Sequence, residues 1–216
     1  MLRPLILTLA LLSLTACAHP QKNAQIAAGQ GLIIIEAEPA GLADRNPYFL
    51  TFSEHRPEDQ GALGEAYRMD LMGHQQTART FYVKAVPAGA YLWEAFNVGY
   101  APSWGLCLNG GTYGFDVSNG QAVYLGRVDP QGPLADVRTS LPAALSLTTY
   151  KYVFDRQAPP LDPTLTPQKQ VEIATFLARE HPDLRTAVRA AELRPMTFRS
   201  GPPALMARFP RCALRR

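Results

Sequence analysis

The sequence predicts a mainly β protein: a β-sandwich of about seven strands followed by a C-terminal helical pair and an irregular basic tail. Three observations lead there. Short runs rich in β-branched and aromatic residues recur between residues 31 and 155. Turn formers separate them, and 19 prolines and 16 glycines suit many turns better than long helices. After residue 156 the pattern changes to proline punctuation and helical spacing.

The strands follow in order. Gly31-Leu32-Ile33-Ile34-Ile35-Glu36 is a continuous β-branched run and predicts a buried strand. Tyr48 to Ser53 is the second candidate, and residues 54–66 read as a charged surface loop. Tyr67 to Met72 and Thr80 to Val86 are further candidates, the latter closed by the turn formers Pro87-Ala88-Gly89. In Ala90 to Val98, strict alternation puts Leu92, Glu94, Phe96 and Val98 on one face and Tyr91, Trp93 and Ala95 on the other. Residues 99–111 read as a Gly-rich loop. Asn119-Gly120 between Thr112–Ser118 and Gln121–Val128 predicts a hairpin, because a type I′ turn needs positive φ at both central positions. Leu145 to Asp155 is the last predicted strand.

Beyond a linker holding Pro159, Pro160 and Pro163, Thr166-Pro167 has the form of an N-cap followed by proline at the first helical position. Val171, Ala174, Phe176 and Leu177 then mark a helical stripe. A second helix is expected after Pro182, with Leu184, Ala187, Val188 and Ala191 on one face and its end at Pro195. The tail from Arg194 carries six arginines and no acidic residue. Such a tail is either a solvated surface or a contact for an anionic one.

The N-terminus sets the expected compartment. Arg3 precedes a ten-residue apolar run, Leu5 to Leu14, which is the length of a signal-peptide core and about half a bilayer span. The run ends in Leu14-Thr15-Ala16-Cys17, which resembles the lipobox of bacterial lipoproteins. The resemblance implies cleavage before Cys17 and acylation of its thiol. Ala18, where the family's inner-membrane retention signal has Asp, points to the outer membrane, with the body facing the periplasm. The expected organisation is a signal peptide over 1–16, a flexible tether over 17–30, a β-sandwich over 31–156, and a Pro-rich linker with two helices and basic tail over 157–216.

A second resemblance lies within residues 80–128. Val86-Pro87-Ala88-Gly89-Ala90-Tyr91, followed by Phe115-x-Val117-x-x-Gly120-x-x-x-Tyr124-Leu125-Gly126, is similar to small extracytoplasmic β-sandwich domains of the PEGA and transthyretin-like groups. It implies a two-sheet fold and no catalytic residues.

The search for chemistry is mostly negative. The four histidines, His19, His55, His74 and His181, form no metal-ligand spacing. No nucleophile elbow or P-loop is present, so no cofactor, metal or catalytic residue is expected. Exclusion of nucleic acid follows from export. Cys107 and Cys212 remain after Cys17 as a pair in an oxidising compartment; a disulfide is expected, with two buried thiols as the alternative. Tyr100, Trp104 and Tyr113 are candidates for a ligand surface. The expected function is a non-catalytic binding or structural lipoprotein, held to the membrane by its lipid and facing an envelope protein, peptidoglycan or anionic lipid. The alternative is an envelope hydrolase using Cys107 or the Glu54–Asp59 region.

Overall fold

In a computed structural model, the protein is described over residues 26–37, 48–56, 58, 61–71, 81–98, 104–140, 151–184, 186–200 and 212. Among the described residues the fold is mainly β, as the sequence predicts, with two packed sheets and two α-helices. The described strands number eleven. The smaller sheet has the order β10 (Val188–Ala190), β8 (Ala122–Val128), β1 (Gln30–Ala37), β4 (Phe81–Pro87). The larger runs β11 (Arg194–Met196), β7 (Thr112–Val117), β5 (Gly89–Val98), β2 (Tyr48–His55), β3 (Leu63–Leu71). In it, β6 (Trp104–Cys107) lies beside the second half of β5, and β9 (Lys151–Val153) lies beside β6 in parallel.

The apolar run at β1 becomes the centre of the smaller sheet. Ile33, Ile35 and Ala37 face the core between the sheets, while Leu32 and Ile34 face the other way. A strand buried on both faces needs no polar alternation, which is why this one is nearly all aliphatic. Its second face is covered by α2 (Pro167–Glu180), through Ile173, Phe176 and Leu177. Thr166 caps that helix as expected, its hydroxyl accepting from the Lys169 N–H at 3.1 Å. Phe176 and Leu177 of the predicted stripe are buried, but Val171 and Ala174 are exposed. Ile173 takes their place, because the docking face is set by Phe81 and Tyr124 beneath it.

Neither central turn closes a hairpin within one sheet, and for Asn119-Gly120 this differs from the expectation. β4 belongs to the smaller sheet and β5 to the larger, so Pro87-Ala88-Gly89 carries the chain between layers. Asn119-Gly120 does the same in reverse, from β7 to β8. Only Gly120 has positive φ, at 69°, so the type I′ requirement at Asn119 is not met. The turn is instead fastened to the start of β1. Gly120 N–H donates to Gln30 O at 2.8 Å, and Gly29 N–H donates to Asn119 Oδ1 at 3.1 Å. β8 is thereby aligned parallel to β1.

The middle of β5 also departs from simple alternation. Thr51 lies opposite Ala95 and Phe52 opposite Trp93, leaving Glu94 as the extra residue of a bulge. The side-chain sequence shifts by one there. Tyr91, Trp93, Phe96 and Val98 face the core, while Leu92 and Ala95 face the outer side of the larger sheet. The bulge thus unites four large side chains that strict alternation divides between two faces.

Three further corrections concern segments read as loop or helix. The Gly-rich stretch 99–111 contains β6 and a 3-10 turn over Leu108–Gly110. Strand β3 starts at Leu63, within the expected loop 54–66. The second helix of the expected pair is absent: Val188–Ala190 is β10, parallel to β8, and Pro195 lies inside β11. An edge strand tolerates proline because its outward N–H has no ladder partner to lose. The other helix of the fold is α1 (Gln131–Ser140), seated in the core by Leu134 and Val137. The stretch 188–196 therefore joins an edge of each sheet, and Ala191 and Leu193 between its strands pack on the core; of the basic tail expected from Arg194, residues 201–211 and 213–216 lie outside the described residues. The stretch 188–196 covers edges that are otherwise open to pairing with other chains.

Candidate functional site

Of the three residues expected at a ligand surface, Tyr113 lies beside a groove. Tyr113, on β7, lines an open groove of about 450 Å³ with Gly111, Thr112, Gln157, Ala158, Pro195, Met196 and Thr197. Three ribbons build it. Gly111 forms a parallel bridge with Gln157, and Ala158 N–H donates to Gly111 O at 2.8 Å. On the other side, Tyr113 lies opposite Pro195 and Thr112 opposite Met196. The spacing Gly110-Gly111-x-x-Gly114, which lacks the setting of a nucleotide loop, has a different use here. A Cβ at Gly114 would sit 2.1 Å from Met196 Sδ, and one at Gly111 would sit 3.4 Å from Gln157 Cγ. Missing side chains let both neighbours lie close against β7.

Every side chain lining the groove is uncharged. The Thr112 hydroxyl is committed, donating to Trp93 O at 2.5 Å. Beside the groove, Arg194 donates two hydrogen bonds to the Asp116 carboxylate, at 2.6 and 3.0 Å, and Arg189 donates to Asp116 O at 2.7 Å. The Arg194 bonds hold the Asp116 carboxyl below its ordinary range, against a smaller opposing effect of burial. Arg189 and Arg194, the latter the first arginine of the basic tail, thus serve to fasten β10 and β11 to β7.

The other expected residues are distributed as follows. Trp104 is on β6, opposite Val98 and beside Lys151. Tyr100 and Cys17 lie outside the described residues. Cys107 and Cys212 are both buried, with sulfurs at disulfide distance, 2.06 Å, and Cα atoms 5.2 Å apart. They sit in an apolar cluster with Leu63, Leu92, Ala95 and Phe198 on the outer face of the larger sheet. A nucleophilic thiolate at Cys107 is incompatible with that pairing. In the Glu54–Asp59 region, Glu54 accepts from the Tyr67 hydroxyl at 3.3 Å, while Asp59 lies outside the described residues. Among the described residues, no group of three His, Cys, Asp or Glu side chains is placed to hold a metal.

Two buried polar arrangements went unforeseen. The Ser53 hydroxyl donates to the Glu94 carboxylate beneath the outer face of the larger sheet, and these residues are 0% and 3% exposed. Strict alternation hid this contact, because it forms at the bulge. Between the smaller sheet and α2, Lys169 Nζ lies 3.0 Å from Glu36 and 2.7 Å from Glu172, and the Tyr124 hydroxyl donates to Glu36 at 3.1 Å. Burial works against the Lys169 charge, but the bonds to Glu172 and Glu36 outweigh it and raise its pKa. Burial first, then Glu36, pushes the Tyr124 phenol up. The cluster anchors α2 to the smaller sheet.

No family model, curated protein or solved structure matches this chain. Among the described residues, no helix is long and apolar enough to cross a membrane.

Proposed function

We propose that the protein is a lipid-anchored binding module of the bacterial envelope, with no covalent chemistry of its own. One observation carries this reading: Leu14-Thr15-Ala16-Cys17 immediately follows a signal-length apolar run. Two or more acyl chains on Cys17 would hold the protein firmly, at about 0.8 kcal/mol per buried CH₂. Strand β1 begins 13 residues later, at Gln30, so the connecting chain can reach at most about 45 Å from the membrane surface. The buried Cys107–Cys212 pair suits an oxidising compartment, where such pairs form and persist. The resemblance to PEGA and transthyretin-like domains brings no catalytic residues to carry over to this chain. The outer membrane, periplasmic side, is the proposed location on the strength of Ala18.

The test is expression in a two-membrane bacterium with labelled palmitate. Label is expected on the wild-type chain, which fractionates with the outer membrane. Cys17→Ser is expected to lose the label and to leave the outer-membrane fraction. Mass spectrometry showing an unmodified chain that starts at Met1 would overturn the proposal.

A further inference from the structure

We propose that the groove formed by Gly111–Tyr113, Gln157–Ala158 and Pro195–Thr197 is a binding site for an uncharged oligosaccharide. The proposal rests on the groove's own residues and holds whether or not Cys17 is acylated. Size is the first argument. About 450 Å³ lies within the range of small-molecule sites and leaves room for a short chain of sugar rings.

Chemistry narrows the ligand. No lining residue is charged, and the nearby Arg194 and Arg189 are spent on Asp116. An anionic ligand would find no cation to pair with, and a cationic one no carboxylate. The backbone of the floor is already engaged, by Gln157–Ala158 on one side and β11 on the other, so an extended peptide cannot add as a strand there. Among the described residues, no hydrogen bond engages the Tyr113 hydroxyl, the Gln157 amide or the Thr197 hydroxyl. A wholly apolar ligand would leave these three groups without partners. A neutral sugar satisfies both demands. Its C–H face stacks on the Tyr113 ring and the Pro195 ring opposite it, and its hydroxyls reach the Gln157 amide and the Thr197 hydroxyl.

Rigidity is the last argument. β11 is held to β7 by sheet pairing, Gln157–Ala158 is held to Gly111 by an isolated bridge and a hydrogen bond, and Met196 rests on Gly114. A site fixed before binding loses little ordering entropy when it fills.

The experiment titrates the oxidised, full-length protein, followed by backbone amide NMR shifts. Chitotetraose and maltotetraose are the uncharged probes, and a heparin tetrasaccharide is the charged control. At least one uncharged probe is expected to saturate at millimolar concentration or below, with shifts centred on residues 111–113, 157–158 and 195–197. Tyr113→Ala is expected to weaken it about tenfold, and Tyr113→Phe to retain most of the affinity, since the ring supplies the stacking. Gln157→Ala, at an exposed site, should weaken binding severalfold with an unchanged unfolding midpoint; it carries the test alone if Tyr113→Ala fails to fold. Three results would each overturn the proposal: neither neutral probe binds, Gln157→Ala and Tyr113→Ala bind as wild type, or only the heparin fragment binds and salt removes it.

Discussion

Opening the Cys107–Cys212 pair should remove a large part of the protein's stability. The two residues are separated by 105 positions, so the bond closes nearly half the chain. By the chain-entropy relation, a loop of this length restricts the unfolded state by about 4.7 kcal/mol at 25 °C. Single domains are stable by only about 5–15 kcal/mol, so this is a third or more of the total. Cys107→Ala and Cys212→Ala remove the same bond, so each is expected to cost 4–5 kcal/mol by that relation, and the double variant about the same. The assay is urea unfolding without reductant, followed by fluorescence of the buried Trp93. With a slope of roughly 2 kcal/mol/M, each variant's midpoint should fall by about 2 M. Dithiothreitol should bring wild type down to the variants. The reasoning fails if the single effects sum in the double variant, if they stay below about 1 kcal/mol, or if alkylation of unreduced protein finds both thiols free.

Other expectations follow from close contacts and charge. Gly126 has φ of 111°, and a Cβ there would come 2.6 Å from Asp162 O; Gly126→Ala should therefore cost roughly 2–4 kcal/mol in thermal or urea unfolding. Lys169→Ala leaves the largely buried Glu36 without its cation and should cost about 1–3 kcal/mol, with amide exchange accelerating first in α2. The Asp116 carboxyl is depressed in the folded state, so its contribution is complete above the unfolded pKa near 3.9 and disappears as pH falls through the lower folded value. Because Asp116 and Arg194 are each half exposed, that contribution is about 0.2–1 kcal/mol. Acid unfolding of Asp116→Asn should lack this component, and the protection factors of the β11 amides, corrected for intrinsic exchange, should lose their dependence on pH between pH 2 and 4.

Much of the secondary structure was legible because local signals and tertiary demands agree. The aliphatic run at β1 could be satisfied only by burial on both faces, and Thr166-Pro167 capped α2 as that pair does in most settings. Failures fall where a long-range partner overrode a local preference. Val188–Ala190 has helical spacing, yet the open edge of β8 offered hydrogen bonds at Ala122 and Tyr124 that the chain took instead. The Glu94 bulge reversed the reading of half of β5, since a period-two pattern cannot reveal where a partner strand gains a residue.

For the site, the sequence named Tyr100, Trp104 and Tyr113 as candidates but could not indicate which of them lines a groove. Tyr113 gained its companions from segments about 45 and 80 residues away, and nothing near it in sequence names them. By itself the sequence determined the β class, the capped helix and the pairing expected of Cys107 and Cys212. These rest on periodicity, cap chemistry and cysteine count, all properties of short stretches or of composition. Only the tertiary structure decided which turns cross between sheets, where the arginines are spent and how three ribbons enclose a groove. Those outcomes depend on which backbone edges remain unpaired after the sheets form, and that is a property of the whole assembly.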